Sequence, residues 1–118
     1  MAMRSLVASA LFVAGALSPV AANAVFDAPA WYQMRCSGCH GLEGQGTKAQ
    51  VPALGPALKG NPFVINASPA AIKTVLRKGR SGQKRLYNDT YPNMPAFGPE
   101  MLPDTDAMIA FLKGDLQK

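Results

Sequence analysis

At 118 residues the chain is one small domain at most, which excludes a large two-domain enzyme. Hydrophobic residues make up 48% and charged residues 16%, with 11 Gly and 10 Pro and no low-complexity tract, so the composition fits a loop-rich packed domain and excludes a disordered chain. Two Cys and a single His supply three soft ligands, one short of a closed zinc site, and the net charge of +5 points to an acidic partner surface ahead of nucleic acid.

The first five residues carry one positive charge, Arg4, and are followed by an apolar run from Leu6 to Leu17, then Ser18-Pro19 and the small triplet Ala22-Asn23-Ala24. This is the pattern of a secretory signal cut after Ala24; an uncleaved anchor is the alternative, against which Pro19 and the A-x-A ending argue. Residues 1–24 are therefore expected to be removed and residues 25–118 to form the domain, outside the cytoplasm and, in a bacterium, in the periplasm.

Asp27 can cap a helix that holds Pro29 in its first turn and runs to about Cys36. Glycines at 38, 41, 44 and 46, with Pro52 and Pro56, then break regular structure as far as Gly60-Asn61-Pro62. So long a connection in so small a domain asks for something other than side chains to pack beside it, namely a large prosthetic group. Ser68-Pro69 opens a second helix with Ile72, Val75 and Leu76 on one face and Lys73, Arg77 and Lys78 on the other, and Gly79 ends it. Arg80 to Pro99 reads as irregular again. Asp104 or Thr105 caps a last helix through about Lys113, with Met108, Phe111 and Leu112 as its buried stripe. With no alternating strand pattern and no internal repeat, the fold class is all-α: three or more short helices joined by long loops.

Cys36-Ser37-Gly38-Cys39-His40 has the C-x-x-C-H spacing of covalent haem attachment. Two thiols three apart can form thioethers with two neighbouring vinyl groups of one porphyrin, and the adjacent imidazole then reaches the iron. Gly41 lets the backbone turn away directly after that ligand. A redox dithiol is the alternative, but it is expected after a strand in a β-α-β setting, and a three-ligand zinc site would lack both a fourth ligand and a base.

A second axial ligand has to come from methionine, since no other His or Cys remains. Downstream of the signal stand Met34, Met94, Met101 and Met108. Met34 is too near the attachment site on the same helix, and Met108 falls on an apolar stripe where a core role is commoner. Met101 stays open. Met94 is preferred because Pro92 and Pro95 flank it and hold it on a stiff, non-helical mount. Haem c with His40 and Met94 as metal ligands leaves no open position for substrate, so the expected chemistry is electron transfer and not catalysis.

Read in order, these residues resemble the small class I c-type cytochromes over residues 27 to 116: Ala28, Tyr32 and Cys36 on one helical face, the Cys36-Cys39-His40 motif, Gly55-Pro56-Ala57-Leu58-Lys59-Gly60, the Ser68-Pro69 helix and Asn93-Met94-Pro95. The resemblance implies a cytochrome c-like fold around one haem c. It also implies that the Pro56 carbonyl accepts a hydrogen bond from His40, and that the first and last helices cross with Ala28 against Phe111. Gly79 to Met94 is longer and more basic than in many small bacterial members, and Tyr87 and Tyr91 are candidates for the haem pocket or its rim.

Lys73, Arg77, Lys78, Arg80, Lys84 and Arg85 put six cations in thirteen residues with no acid among them. They are either a solvated face or a surface that steers the haem edge toward an acidic redox partner. The expected function is a periplasmic monohaem carrier moving single electrons from a dehydrogenase to a terminal oxidase or other acceptor, as a monomer or in a transient complex. A dedicated cytochrome subunit of a sulfite or alcohol dehydrogenase is the first alternative, and a haem sensor or peroxidase with a labile Met94 is the second. Membrane insertion after signal cleavage and nucleic-acid binding are not expected.

Overall fold

The computed structural model describes residues 25–86 and 90–118, with Gln83 as backbone alone. Residues 1–24, expected to be a signal segment, and Tyr87 lie outside the described residues. Among the described residues five α-helices follow in order: α1 Ala28–Arg35, α2 Ser37–His40, α3 Pro62–Asn66, α4 Pro69–Lys78 and α5 Thr105–Lys113, with single 3-10 turns at Gly82–Lys84 and Asp115–Gln117. Among the described residues there is no β-strand, and the one bridge is an isolated antiparallel pair, Arg80 with Met94.

Each of the three expected helices starts where a side chain captures a free amide. Asp27 Oδ1 accepts from Ala30 N at 3.1 Å, Ser68 Oγ from Ala71 N at 3.1 Å and Asp104 Oδ1 from Ala107 N at 2.9 Å. The same device starts α3, where Asn61 Oδ1 accepts from Phe63 N at 2.9 Å ahead of Pro62. The irregular connection ends at Asn61-Pro62 as expected, and a short helix not among the three expected ones begins there. The cap-then-proline signal was present, but α3 is five residues long, too short to display a periodic apolar face.

Helix α5 is the hub, packing on α1, α3, α4 and the C-terminal turn. Met108 is wholly buried, Ile109 and Leu112 are buried beside it, and Phe111 is only half-buried. The stripe therefore shifts by a residue from the expected set, because α5 is covered from both sides. Phe111 stacks on Tyr32 of α1 at 5.6 Å between ring centroids. Trp31 anchors α1 to the segment before α5, donating from Nε1 to Met101 O at 2.8 Å and meeting Phe97 edge-on at 5.1 Å. At the end of α5, Lys113 Nζ donates to Ala67 O at 2.6 Å and Ile65 O at 3.2 Å, satisfying carbonyls at the C-terminus of α3. Gln117 in the last turn donates from Nε2 to Leu58 O and Leu112 O, both at 2.9 Å, and accepts from Gly60 N at 2.7 Å, latching the long loop to α5.

Two methionines separate cleanly by burial. Met108→Ala is expected to lower the unfolding free energy by roughly 2–5 kcal/mol through the cavity it leaves. Met34, 73% exposed on α1, is expected to cost no more than about 0.5 kcal/mol when replaced by Ala. Urea midpoints at constant m-value check both.

Candidate functional site

Cys36 closes α1 and opens α2, so the motif sits on a corner between two helical segments. Ala28, Tyr32 and Cys36 recur every fourth residue along α1 and are all buried, which places the first thiol on the helix's inner face. The Tyr32 hydroxyl donates to Gly41 O at 2.8 Å, and Gly41 takes a positive φ of 86°, turning the chain sharply after His40.

His40 Nδ1 lies 2.8 Å from Pro56 O. A carbonyl oxygen only accepts, so Nδ1 carries the hydrogen and the lone pair of the neutral ring is on Nε2. Burial holds the imidazole below its ordinary pKa, with the bond to Pro56 opposing that shift in part. The ring is thus neutral near pH 7 and presents Nε2 as a ligand atom, which takes no hydrogen bond among the described residues.

The loop that brings Pro56 to His40 is organised by Thr47, a residue that sequence reading passed over and for which the sequence carries no signal. Its buried hydroxyl accepts from Leu54 N at 2.9 Å and Gly55 N at 3.0 Å, and lies 2.8 Å from Cys39 O and 3.3 Å from Gly55 O as acceptors. Gly46 N donates to His40 O at 2.6 Å, and Leu58 N and Lys59 N both donate to Gly44 O at 2.8 and 2.9 Å. The connection expected to lean on a prosthetic group is therefore also tied to the protein's own backbone.

Cys36, His40 and Pro56 form part of the wall of a cleft of about 860 Å³, its mouth included. Leu58, Phe63, Val64, Ile72, Val75, Leu76 and Leu112 give it an apolar lining, and the chain beyond α4 adds Arg80, Arg85, Leu86, Tyr91, Pro92 and Met94. Among the described residues no carboxylate lines it. Cys39 stands three residues past Cys36 and is half-buried. A second hollow, of about 990 Å³ between residues 25–29 and α5, carries Asp27 and Asp115 and no soft ligand.

Of the four candidate methionines, Met94 alone lines the cleft. Met34 is exposed, Met101 is 44% exposed and Met108 lies in the core. Met94 is held by the bridge to Arg80, with Arg80 N donating to Met94 O at 3.1 Å and Met94 N to Arg80 O at 2.9 Å, and three residues on Phe97 N donates to Leu76 O at 2.9 Å. Gly79 makes this close approach possible. Its φ is +67°, and a Cβ there would fall on the Met94 carbonyl oxygen.

The six cations divide in a way the sequence concealed. Arg77 Nη1 donates to Phe97 O at 3.2 Å and Leu102 O at 2.7 Å. Arg80 lies over the Phe63 ring at 4.7 Å and donates to Lys84 O at 2.9 Å. Arg85 donates to Gly82 O at 3.1 Å and to Tyr91 O. Those three guanidiniums are half-buried and engaged within the fold, leaving Lys73, Lys78 and Lys84 as the exposed charges.

Burial, and after it the charge of Cys39, push the Cys36 thiol up to about 12. At neutral pH it is therefore not the thiolate that disulfide exchange requires, although it starts a helical turn. A desolvated imidazole with a free Nε2, a thioether and two cysteines on or beside one apolar cleft form instead a donor set that fits a covalently held haem.

An all-helical shell around such a cleft defines a c-type cytochrome. The chain belongs to the family described as cytochrome c oxidase, cbb3-type, subunit III, whose family model matches residues 24–112. Among solved structures, the c-type cytochrome XoxG from Methylobacterium extorquens AM1 has a similar fold, with a TM-score of 0.53 and 24% identity over 76% of this chain. The chain spans 48% of that protein's length. No curated protein matches the chain.

Thr47→Val removes the shared partner of Leu54 N, Gly55 N and Cys39 O, and is expected to cost about 2–4 kcal/mol in urea unfolding. Thr47→Ser retains the hydroxyl, and a loss below about 1.5 kcal/mol, the scale of a lost methyl, is expected for it.

Proposed function

We propose that the chain is a monohaem electron carrier in which Cys36 and Cys39 tether the porphyrin and His40 and Met94 are the axial ligands. The observation that carries this reading is that His40, with its tautomer fixed by Pro56, and Met94, held by the Arg80 bridge, are walls of the same apolar cleft as Cys36. The bound haem supplies a one-electron iron couple. For their part, His40 offers a neutral nitrogen whose orientation is fixed, Met94 offers a soft sulfur on a stiff segment, and the aliphatic lining keeps water from the metal. With an imidazole and a thioether both offered to the iron, the residues would favour outer-sphere transfer over substrate chemistry. The proposed setting is the periplasm, after removal of residues 1–24; among the described residues no helix is long and apolar enough to cross a membrane.

Expression in a host that attaches haem tests this directly. One haem is expected to stay with the denatured chain on mass spectrometry and through acid-acetone extraction, and to be absent from Cys36→Ala combined with Cys39→Ala. A colourless parent protein with both thiols open to alkylation would sink the reading.

The proposed partners are redox proteins with an acidic docking face, a dehydrogenase on one side and an oxidase or other acceptor on the other. The exposed lysines provide the field, since Arg77, Arg80 and Arg85 are engaged in the fold. The family description, which names an oxidase subunit, favours a second reading as a fixed subunit of a larger oxidoreductase; copurification at physiological salt separates the two. Stopped-flow oxidation of the reduced protein by anionic hexacyanoferrate(III) reports the field itself. The rate is expected to fall by roughly tenfold between low and high ionic strength, and to lose that slope in the triple variant Lys73→Glu, Lys78→Glu, Lys84→Glu. Equal slopes for parent and variant would remove these lysines from steering.

A further inference from the structure

Beyond the Arg80 bridge, the Met94 segment runs into a closed turn in which Gly98 O accepts from Met101 N at 3.1 Å and Leu102 N at 2.9 Å. Arg77, the residue before the last of α4, reaches both flanks of that turn through one nitrogen, Phe97 O on one side and Leu102 O on the other. Phe97 and Leu102 are buried, so the turn is a block anchored in the core at both ends. Among the described residues no carboxylate pairs with Arg77; the one ion pair is Lys118 with Asp115. A half-buried guanidinium committed to two carbonyls in place of an acid serves to hold backbone. What it holds is the block that continues Met94, and it holds it to α4 beside the Phe97–Leu76 bond.

We propose that Arg77 is a positioning residue for Met94, clamping residues 97–102 onto α4 so that the thioether stays seated in the cleft against competing ligands. This rests on the reading of Met94 as the sixth ligand. His40 is carried by α2 and the Thr47 loop, whereas Met94 is carried by α4 and this block. The separation between the two ligands is therefore set by how firmly the block sits on α4. Without the clamp, the fraction of molecules with Met94 displaced rises, and the apparent affinity for an added ligand rises in proportion.

The test is optical titration of oxidised, haem-loaded protein with imidazole, together with the weak sulfur-to-iron band at the red edge of the spectrum. Arg77→Leu is expected to bind imidazole roughly tenfold tighter than the parent and to weaken the band, as the displaced fraction rises. Met108→Ala, destabilised in the core away from the cleft, is expected to leave both readings as in the parent. A gain below about threefold in Arg77→Leu, or an equal gain in Met108→Ala, overturns the proposal, because the effect is then absent or merely one of lowered stability. If Arg77→Leu fails to take up haem, Arg77→Met is read by the same criteria, since it keeps a long unbranched stem but carries no donor for the two carbonyls. Met94→Ala separates the two layers: retention of the band in that variant overturns the ligand reading and the clamp with it, whereas its loss there beside an unchanged Arg77→Leu overturns the clamp alone.

Discussion

The hydrogen bond between His40 Nδ1 and Pro56 O, 2.8 Å long, is the contact on which the rest of the site is built. It fixes the tautomer of the chain's single histidine, and burial keeps that ring neutral, so one nitrogen is always available to a metal. The bond requires a loop without regular structure to be held in place. Thr47 does this with a single hydroxyl, joining Cys39 O to the amides that precede Pro56. The attachment motif and the carbonyl that orients its imidazole are thus parts of one hydrogen-bonded unit.

A second unit carries the other side. Helix α4 ends at Gly79, whose positive φ and missing Cβ admit the Met94 backbone, and Arg77 and Leu76 fasten the residues that follow. Helix α5 touches both units and fixes their relation through its buried face. The space between them is lined with aliphatic side chains, a surface that suits a large apolar prosthetic group better than it suits water.

Much of this was legible in the chain. Asp27, Ser68 and Asp104 each announce a helix because capping depends on residues within one turn, and the C-x-x-C-H spacing is equally local. Asn61-Pro62 gave the same signal but was masked by the glycines and prolines around it. The cation cluster misled in another way: six charges close in sequence looked like one surface, but three of them turn inward to carbonyls or an aromatic ring. Charge type is visible in a sequence, whereas the acceptor that consumes a donor is not.

By itself the sequence determined the helix starts, the class of cofactor the motif can tether and the choice of imidazole, because these follow from residue types a few positions apart. The tertiary structure alone decided which loop hydroxyl holds Pro56 in place and which cations remain free, and it set Met94, which its flanking prolines already favoured, in one cleft with that imidazole. These depend on contacts such as those of Arg77 with residues 20 and 25 positions away and of Lys113 with one 46 away. Such pairings arise only when helices pack and desolvated donors must find whatever carbonyl the packing brings within reach.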